Sequence, residues 1–153
     1  MIQFRTSLAL LGASLLAACA STGPAPSVAT ATTAPPTVLL LSIDGLRADM
    51  VERGHSPNLA RLAREGVRSV GMSPSYPSLT FPNHYTLVTG LRPDHHGIIH
   101  NSMRAEDLGD FRLDNRDAVT NPAWWGGEPI WVGVEKAGYK SATWSWPGSE
   151  AAI

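Results

Sequence analysis

Cysteine is nearly missing: the 153-residue chain contains one, Cys19. A disulfide within the chain is therefore excluded, and packing with bound ligands must stabilise whatever folds. Long runs of Lys or Arg are absent as well, and the formal net charge is −1, which removes the electrostatic footing for a nucleic-acid polymer. A nucleotide partner is thus expected only as a small molecule. The apolar stretch Leu8–Leu16 falls well short of the roughly 20 residues that a spanning helix needs. What remains, 43% hydrophobic and 16% charged, is the balance of one ordinary globular domain with a core.

The first residues read as a leader. Arg5 precedes the short apolar stretch, and Leu16-Ala17-Ala18-Cys19 follows it directly. That tetrad resembles the bacterial lipoprotein box, in which cleavage precedes the cysteine and the thiol receives the lipid. An ordinary secretory signal cut among the small residues Ala17 to Ala20 is the plain alternative. Either way export is expected, and with lipid on Cys19 the product sits on the periplasmic face of a bacterial membrane, the outer one expected. Residues 20–36 are small, uncharged and rich in Pro, Ala and Thr, the composition of a tether that cannot bury a core. The folded part is expected over 37–153.

From Thr37 the pattern changes. Val38–Ile43 is apolar without alternation and ends in Asp44-Gly45, as expected of a strand buried on both faces of a parallel sheet. Ser56 and Pro57 predict a helix start, Leu59, Leu62 and Ala63 repeat at helical spacing, and Gly66 closes it. Val67–Met72 reads as a second strand, Pro82–Thr89 as a helix stopped by Gly90, Glu128–Ala137 as a helix stopped by Gly138, and Ser141–Trp146 as a third strand. The order predicts an α/β fold with a mostly parallel sheet and flanking helices. About three strands are fewer than the five or six usual in such a sheet, so 37–153 is read as the amino-terminal part of a larger domain.

Two residues stand where chemistry is done. Thr80 lies just before the predicted helix, where unpaired N–H groups and the positive dipole end favour an anion. A threonine hydroxyl is a poor nucleophile unaided and needs a base or a metal. Asp44, at the carboxyl end of the first predicted strand, is a hard-oxygen ligand suited to a divalent cation. Taken singly, each has a plain reading too: Asp-Gly is a common turn pair, and Thr a common helix cap.

The segments Leu40-Leu41-Ser42-Ile43-Asp44-Gly45-Leu46-Arg47, Tyr76 through Tyr85 (YPSLTFPNHY) and Thr89 through Asn101 (TGLRPDHHGIIHN) together resemble the nucleotide pyrophosphatase/phosphodiesterase family. Trp124–Trp131 and Trp144–Glu150 extend the resemblance over essentially all of the chain after the tether. It implies an alkaline-phosphatase-like fold, two zinc ions, and cleavage of phosphodiester or pyrophosphate bonds of nucleotides through a covalent phospho-threonine. Carried over, Asp44 is a zinc ligand and Thr80 the nucleophile that also touches zinc. Asn101 donates to a non-bridging phosphate oxygen, with the Phe81 N–H as a second donor, and Leu113 lines the nucleoside pocket. The family's remaining metal ligands, an Asp and a His on one later segment, an adjacent Asp-His pair and one more His, do not occur in these 153 residues, so the chain alone is expected to be inactive.

Other readings stay open on sequence. A phosphomonoesterase or a lipid-headgroup phosphodiesterase of the same superfamily differs only in what surrounds the ester, and a non-catalytic surface lipoprotein is a different class. Sulfatase chemistry is disfavoured, because Thr80-Phe81-Pro82-Asn83-His84 lacks its Cys/Ser-x-Pro-x-Arg context. His84, His95, His96 and His100 are not metal ligands in the family pattern; Pro93, Asp94 and Gly97 predict a loop there, and a structural role is expected. His55 is expected on the surface. Trp124, Trp125, Trp131, Trp144 and Trp146 are expected in the core or a pocket wall.

Overall fold

The computed structural model describes residues 36–153. The leader, Cys19 and the tether up to residue 35 lie outside the described residues. Residues 40–153 form one compact unit. Along it run a 3-10 helix (Ala48–Arg53), α1 (Pro57–Glu65), α2 (Thr80–Thr89), α3 (Pro93–His96), β1 (Ser102–Ala105), β2 (Gly109–Arg112), α4 (Arg116–Thr120), a 3-10 turn (Pro122–Trp124) and α5 (Ile130–Lys136).

α1 has the bounds its punctuation predicts, Pro57 opening it and the Gly66 N–H closing on Leu62 O. α2 starts two residues before the predicted Pro82, at Thr80. A proline in the first turn costs nothing there, because its missing N–H would have no intrahelical partner. The stop is as expected: Gly90 takes φ 69° and its N–H returns to Thr86 O, a left-handed cap that glycine adopts without a Cβ penalty. α5 is shorter than the predicted 128–137, since Pro129 is its N-cap.

The sheet departs from expectation. Among the described residues the only strands are β1 and β2, an antiparallel hairpin in the register Ser102↔Arg112, Met103↔Phe111, Arg104↔Asp110, Ala105↔Gly109. The segments 38–43, 67–72 and 141–146 carry no ladder, and Val67, Val70, Met72 and Trp144 are exposed. A strand exists only with a neighbour to satisfy its N–H and C=O groups, and none lies alongside these segments among the described residues. The mostly parallel sheet is therefore not observed here.

The core is aromatic and belongs to the middle of the chain. Tyr85 and Val88 of α2, Ile98, Phe111 of β2, Ala118 and Val119 of α4, and Trp124 and Trp125 are buried, with Phe81, Trp131 and Trp146 packed against them. Phe81, Tyr85 and Val88 recur at spacings of four and three, which puts them on one face of α2. Edge-on contacts join Tyr85 to Trp125 at 4.9 Å and Phe111 to Trp124 at 5.4 Å, a favoured geometry for ring pairs. The Trp125 indole donates to Val119 O at 2.9 Å. Trp144, by contrast, is exposed, so that tryptophan is neither core nor pocket wall among the described residues.

Candidate active site

α2 begins the site. Its first residue, Thr80, donates its hydroxyl to Asp44 Oδ2 at 2.9 Å. Asp44 rides the turn closed by the Leu46 N–H on Ile43 O at 3.3 Å, so two residues 36 positions apart meet at the end of a helix. Leu79, the N-cap, is extended and offers no side-chain cap. The helix start is capped from elsewhere: the Phe81 N–H donates to Asn101 Oδ1 at 3.0 Å.

That bond orients Asn101. A backbone N–H can only donate, so the amide oxygen must face Phe81 and the NH₂ is left as the side chain's free end. Phe81 N–H is thereby engaged with Asn101, Pro82 has no N–H, and Asn83 N–H closes on Leu79 O. The Thr80 N–H is the amide of the first turn that finds no acceptor among the described residues. Asn101 immediately precedes β1, and Leu113 immediately follows β2. The hairpin register places the two at the same open end, and Leu113 is exposed there.

Two further residues of α2 hold Thr80 in place: Asn83, which sequence reasoning did not place, and His84, for which a structural role was expected. Asn83 accepts from the Ser75 N–H at 2.7 Å and donates to Pro77 O and Leu79 O, pinning the loop that enters α2. His84, one turn after Thr80, lies 2.7 Å from Thr80 O through Nδ1 and 2.8 Å from Ser42 Oγ through Nε2. The Trp146 indole donates to His84 O at 3.0 Å and meets the ring edge-on at 5.5 Å.

A hydroxyl at a helix start, fixed by a carboxylate and flanked by an amide donor, is the arrangement expected for covalent transfer of an anionic group. Residues 38–153 match the family model described as type I phosphodiesterase/nucleotide pyrophosphatase. The chain belongs to that family. It is 47% identical over 116 residues to an uncharacterised pyrophosphatase/phosphodiesterase of Schizosaccharomyces pombe, covering 74% of this chain and 24% of that protein. Against ectonucleotide pyrophosphatase/phosphodiesterase family member 1 of Homo sapiens the figures are 45% over 122 residues, 78% and 13%. Against the venom phosphodiesterase of Macrovipera lebetinus they are 47% over 119 residues, 76% and 14%. The chain thus spans less than a quarter of the length of these relatives.

For a type I phosphodiesterase the donor set within this chain is small. Among the described residues no group of three or more His, Cys, Asp or Glu side chains could hold a metal ion. Asp44 and Thr80 together offer one carboxylate and one hydroxyl, whereas a catalytic zinc takes three protein ligands. The described residues alone therefore do not fit a zinc site. The histidines do not fill the gap. His96 ends α3, a single helical turn where a loop was expected, and is fully buried. Its Nδ1 accepts the Ile98 N–H at 3.2 Å while Nε2 meets Thr86 Oγ1 at 3.0 Å. Burial holds its pKa below the ordinary value. His55, His95 and His100 are exposed.

Proposed function

We propose that this segment supplies the nucleophile and the first phosphate contacts of a phosphodiesterase that cleaves phosphodiester or pyrophosphate bonds of small nucleotides through a phospho-threonine. The observation that carries this is the Thr80–Asp44 hydrogen bond at the start of α2, with Asn101 fixed beside it. Family membership supports phosphodiester or pyrophosphate hydrolysis as the reaction class.

In the first displacement Thr80 Oγ forms a bond to phosphorus. The bond to the leaving oxygen breaks, that oxygen departs with its electron pair and takes a proton, and the Thr80 hydroxyl proton is lost. Water then breaks the phospho-threonine and releases the monoester. Asp44 aligns the Thr80 hydroxyl for this role. The Asn101 NH₂ and the Thr80 N–H are the donors placed to meet charge on the equatorial oxygens, and such a donor is worth about 2.7–4 kcal/mol in the transition state. Zinc, two ions in the complete enzyme, would lower the hydroxyl pKa. Asp44 and Thr80 are the groups this segment would contribute, other ligands coming from outside it, and the 153 residues alone are inactive on this reading.

We extend the proposal to setting. An alkaline-phosphatase-like parallel sheet would take in 38–43, 67–72 and 141–146, whose apolar, unpaired residues suit strand pairing. The leader and Leu16–Cys19 support lipid on Cys19 and a periplasmic location, with residues 20–36 as tether; among the described residues no helix is long and apolar enough to cross a membrane. The test is direct: the complete reading frame without residues 1–19, supplied with zinc, is assayed on a nitrophenyl nucleotide diester and the matching monoester. Diester preference with loss of turnover in Thr80→Ala supports the reading. Unchanged turnover in Thr80→Ala sinks the nucleophile, and monoester preference makes the enzyme a phosphomonoesterase.

A further inference from the structure

We infer that His84 is a positioning residue for the two groups of the reaction centre, its imidazole bridging Ser42 and the Thr80 carbonyl so that Asp44 and Thr80 are held at a fixed separation. The inference rests on the phospho-threonine reading for its functional consequence and on geometry for its content. Thr80 O can only accept, so at 2.7 Å the ring must donate from Nδ1. In the neutral ring Nε2 is then bare and accepts the Ser42 hydroxyl at 2.8 Å. Ser42 stands two residues before Asp44, and His84 one helical turn after Thr80, so the bridge ties the segment carrying the carboxylate to the helix carrying the nucleophile. The two segments are 42 positions apart in sequence, and no β-ladder joins them.

The bridge is built as a fixed strut. Trp146 closes a third side, its indole edge-on to the ring and bonded to His84 O. His84 is half-buried, which shields both ring bonds from competing water. The Thr80–Asp44 bond itself is exposed and would exchange readily with solvent if the two segments moved independently. Residues that orient a reacting group in this way typically change rates by about 10–100-fold when removed, since small displacements spoil attack geometry.

Two measurements decide it. In the 153-residue chain, nitrogen NMR of the His84 ring at about pH 8, where an ordinary imidazole is neutral, should show Nδ1 protonated and Nε2 bare, with Ser42→Ala shifting the Nε2 signal. A ring protonated on Nε2 with Nδ1 bare overturns the bridge. In the complete enzyme His84→Ala should lower kcat by about 10–100-fold with KM little changed, and Ser42→Ala should lower it less. The double variant should be no worse than His84→Ala alone, because both act through one connection. Additive losses, or a loss carried by KM, refute the positioning role. Persistent turnover in Thr80→Ala would instead sink the nucleophile assignment while leaving the NMR result to judge the bridge.

Discussion

Asn101→Asp separates the two ends of the Asn101 side chain, because it keeps an oxygen for the Phe81 N–H and replaces the NH₂ by a second, negative oxygen. The retained oxygen still caps α2, now as a carboxylate near a helix amino terminus, which is worth about 0.3–1 kcal/mol in favour of folding. The lost donor should cost about 2.7–4 kcal/mol of transition-state stabilisation, or roughly 10²–10³ in kcat, with repulsion of the phosphate added. Asn101→Ala loses both ends. Its stability should fall by about 0.5–2 kcal/mol, the usual cost of a missing helix-start acceptor, and its kcat should fall similarly. Urea denaturation of the chain and diester kinetics of the complete enzyme read the two effects separately. If Asp destabilises as much as Ala, the Phe81–Asn101 bond at 3.0 Å does not cap the helix. If Asp retains the wild-type kcat, the amide does not touch the reacting phosphoryl group.

Other expectations follow from the core. The Tyr85 hydroxyl is buried with no partner among the described residues, and burial alone pushes its pKa up to about 12. Tyr85→Phe should therefore stabilise the chain by about 1 kcal/mol, the low end of what an unpaired buried polar group costs; a lower urea midpoint would mean the hydroxyl is paired. At Gly148, φ is 91° and an added Cβ would stand 2.8 Å from Tyr85 Cε2 and 3.1 Å from Trp125 Cε3. Gly148→Ala combines left-handed strain of about 1–2 kcal/mol with overpacking of about 1–3 kcal/mol, and its thermal midpoint should drop accordingly. His96 has its folded pKa lowered by burial, so the unfolded chain takes up the proton first as pH falls. Stability from this group should be level above about pH 6.5 and decline below it until the folded pKa is passed. Urea titrations at several pH values should show that decline weakened in His96→Gln.

Helices with strong punctuation were legible in the sequence, and strands were not. Pro57 and Gly66 act locally, so α1 has its expected bounds even though the Ser56 side chain makes no capping bond, and Gly90 stops α2 where its left-handed φ allows. Apolar runs such as Val67–Met72 state only a preference for burial; a ladder needs a partner whose position no local pattern contains. The hairpin escaped for the opposite reason. Its short strands carry Arg104, Asp110 and Arg112, and only Met103, Ala105 and Phe111 turn inward, too few to mark a period. In the site, Thr80 was legible from its helix-start position and Asp44 from the Asp-Gly turn that ends the apolar run Val38–Ile43, although that run is not a strand among the described residues. The capture of the Phe81 N–H by Asn101 and the bond between Ser42 and His84 join groups 20 and 42 positions apart, and spacing carries no trace of them.

The two faces of α2 explain how a half-exposed site can still be exact in geometry. Successive residues on a helix point about 100° apart, so the chain Thr80-Phe81 turns a hydroxyl toward Asp44 and a phenyl ring into the core in a single step. Phe81 packs on Phe111 at 6.1 Å and Trp125 at 6.0 Å, and Tyr85 is fully buried one turn later. Displacing Thr80 along or around the helix axis would drag both rings out of contact, at roughly 1.5–3 kcal/mol for each side chain exposed. Thr80 is therefore stiff because its neighbours are apolar. Asp44 has no such backing, since it and the flanking Ile43, Gly45 and Leu46 are exposed. The precision of the pair must then be limited by the carboxylate's side, which is the side that the bridge from His84 to Ser42 restrains.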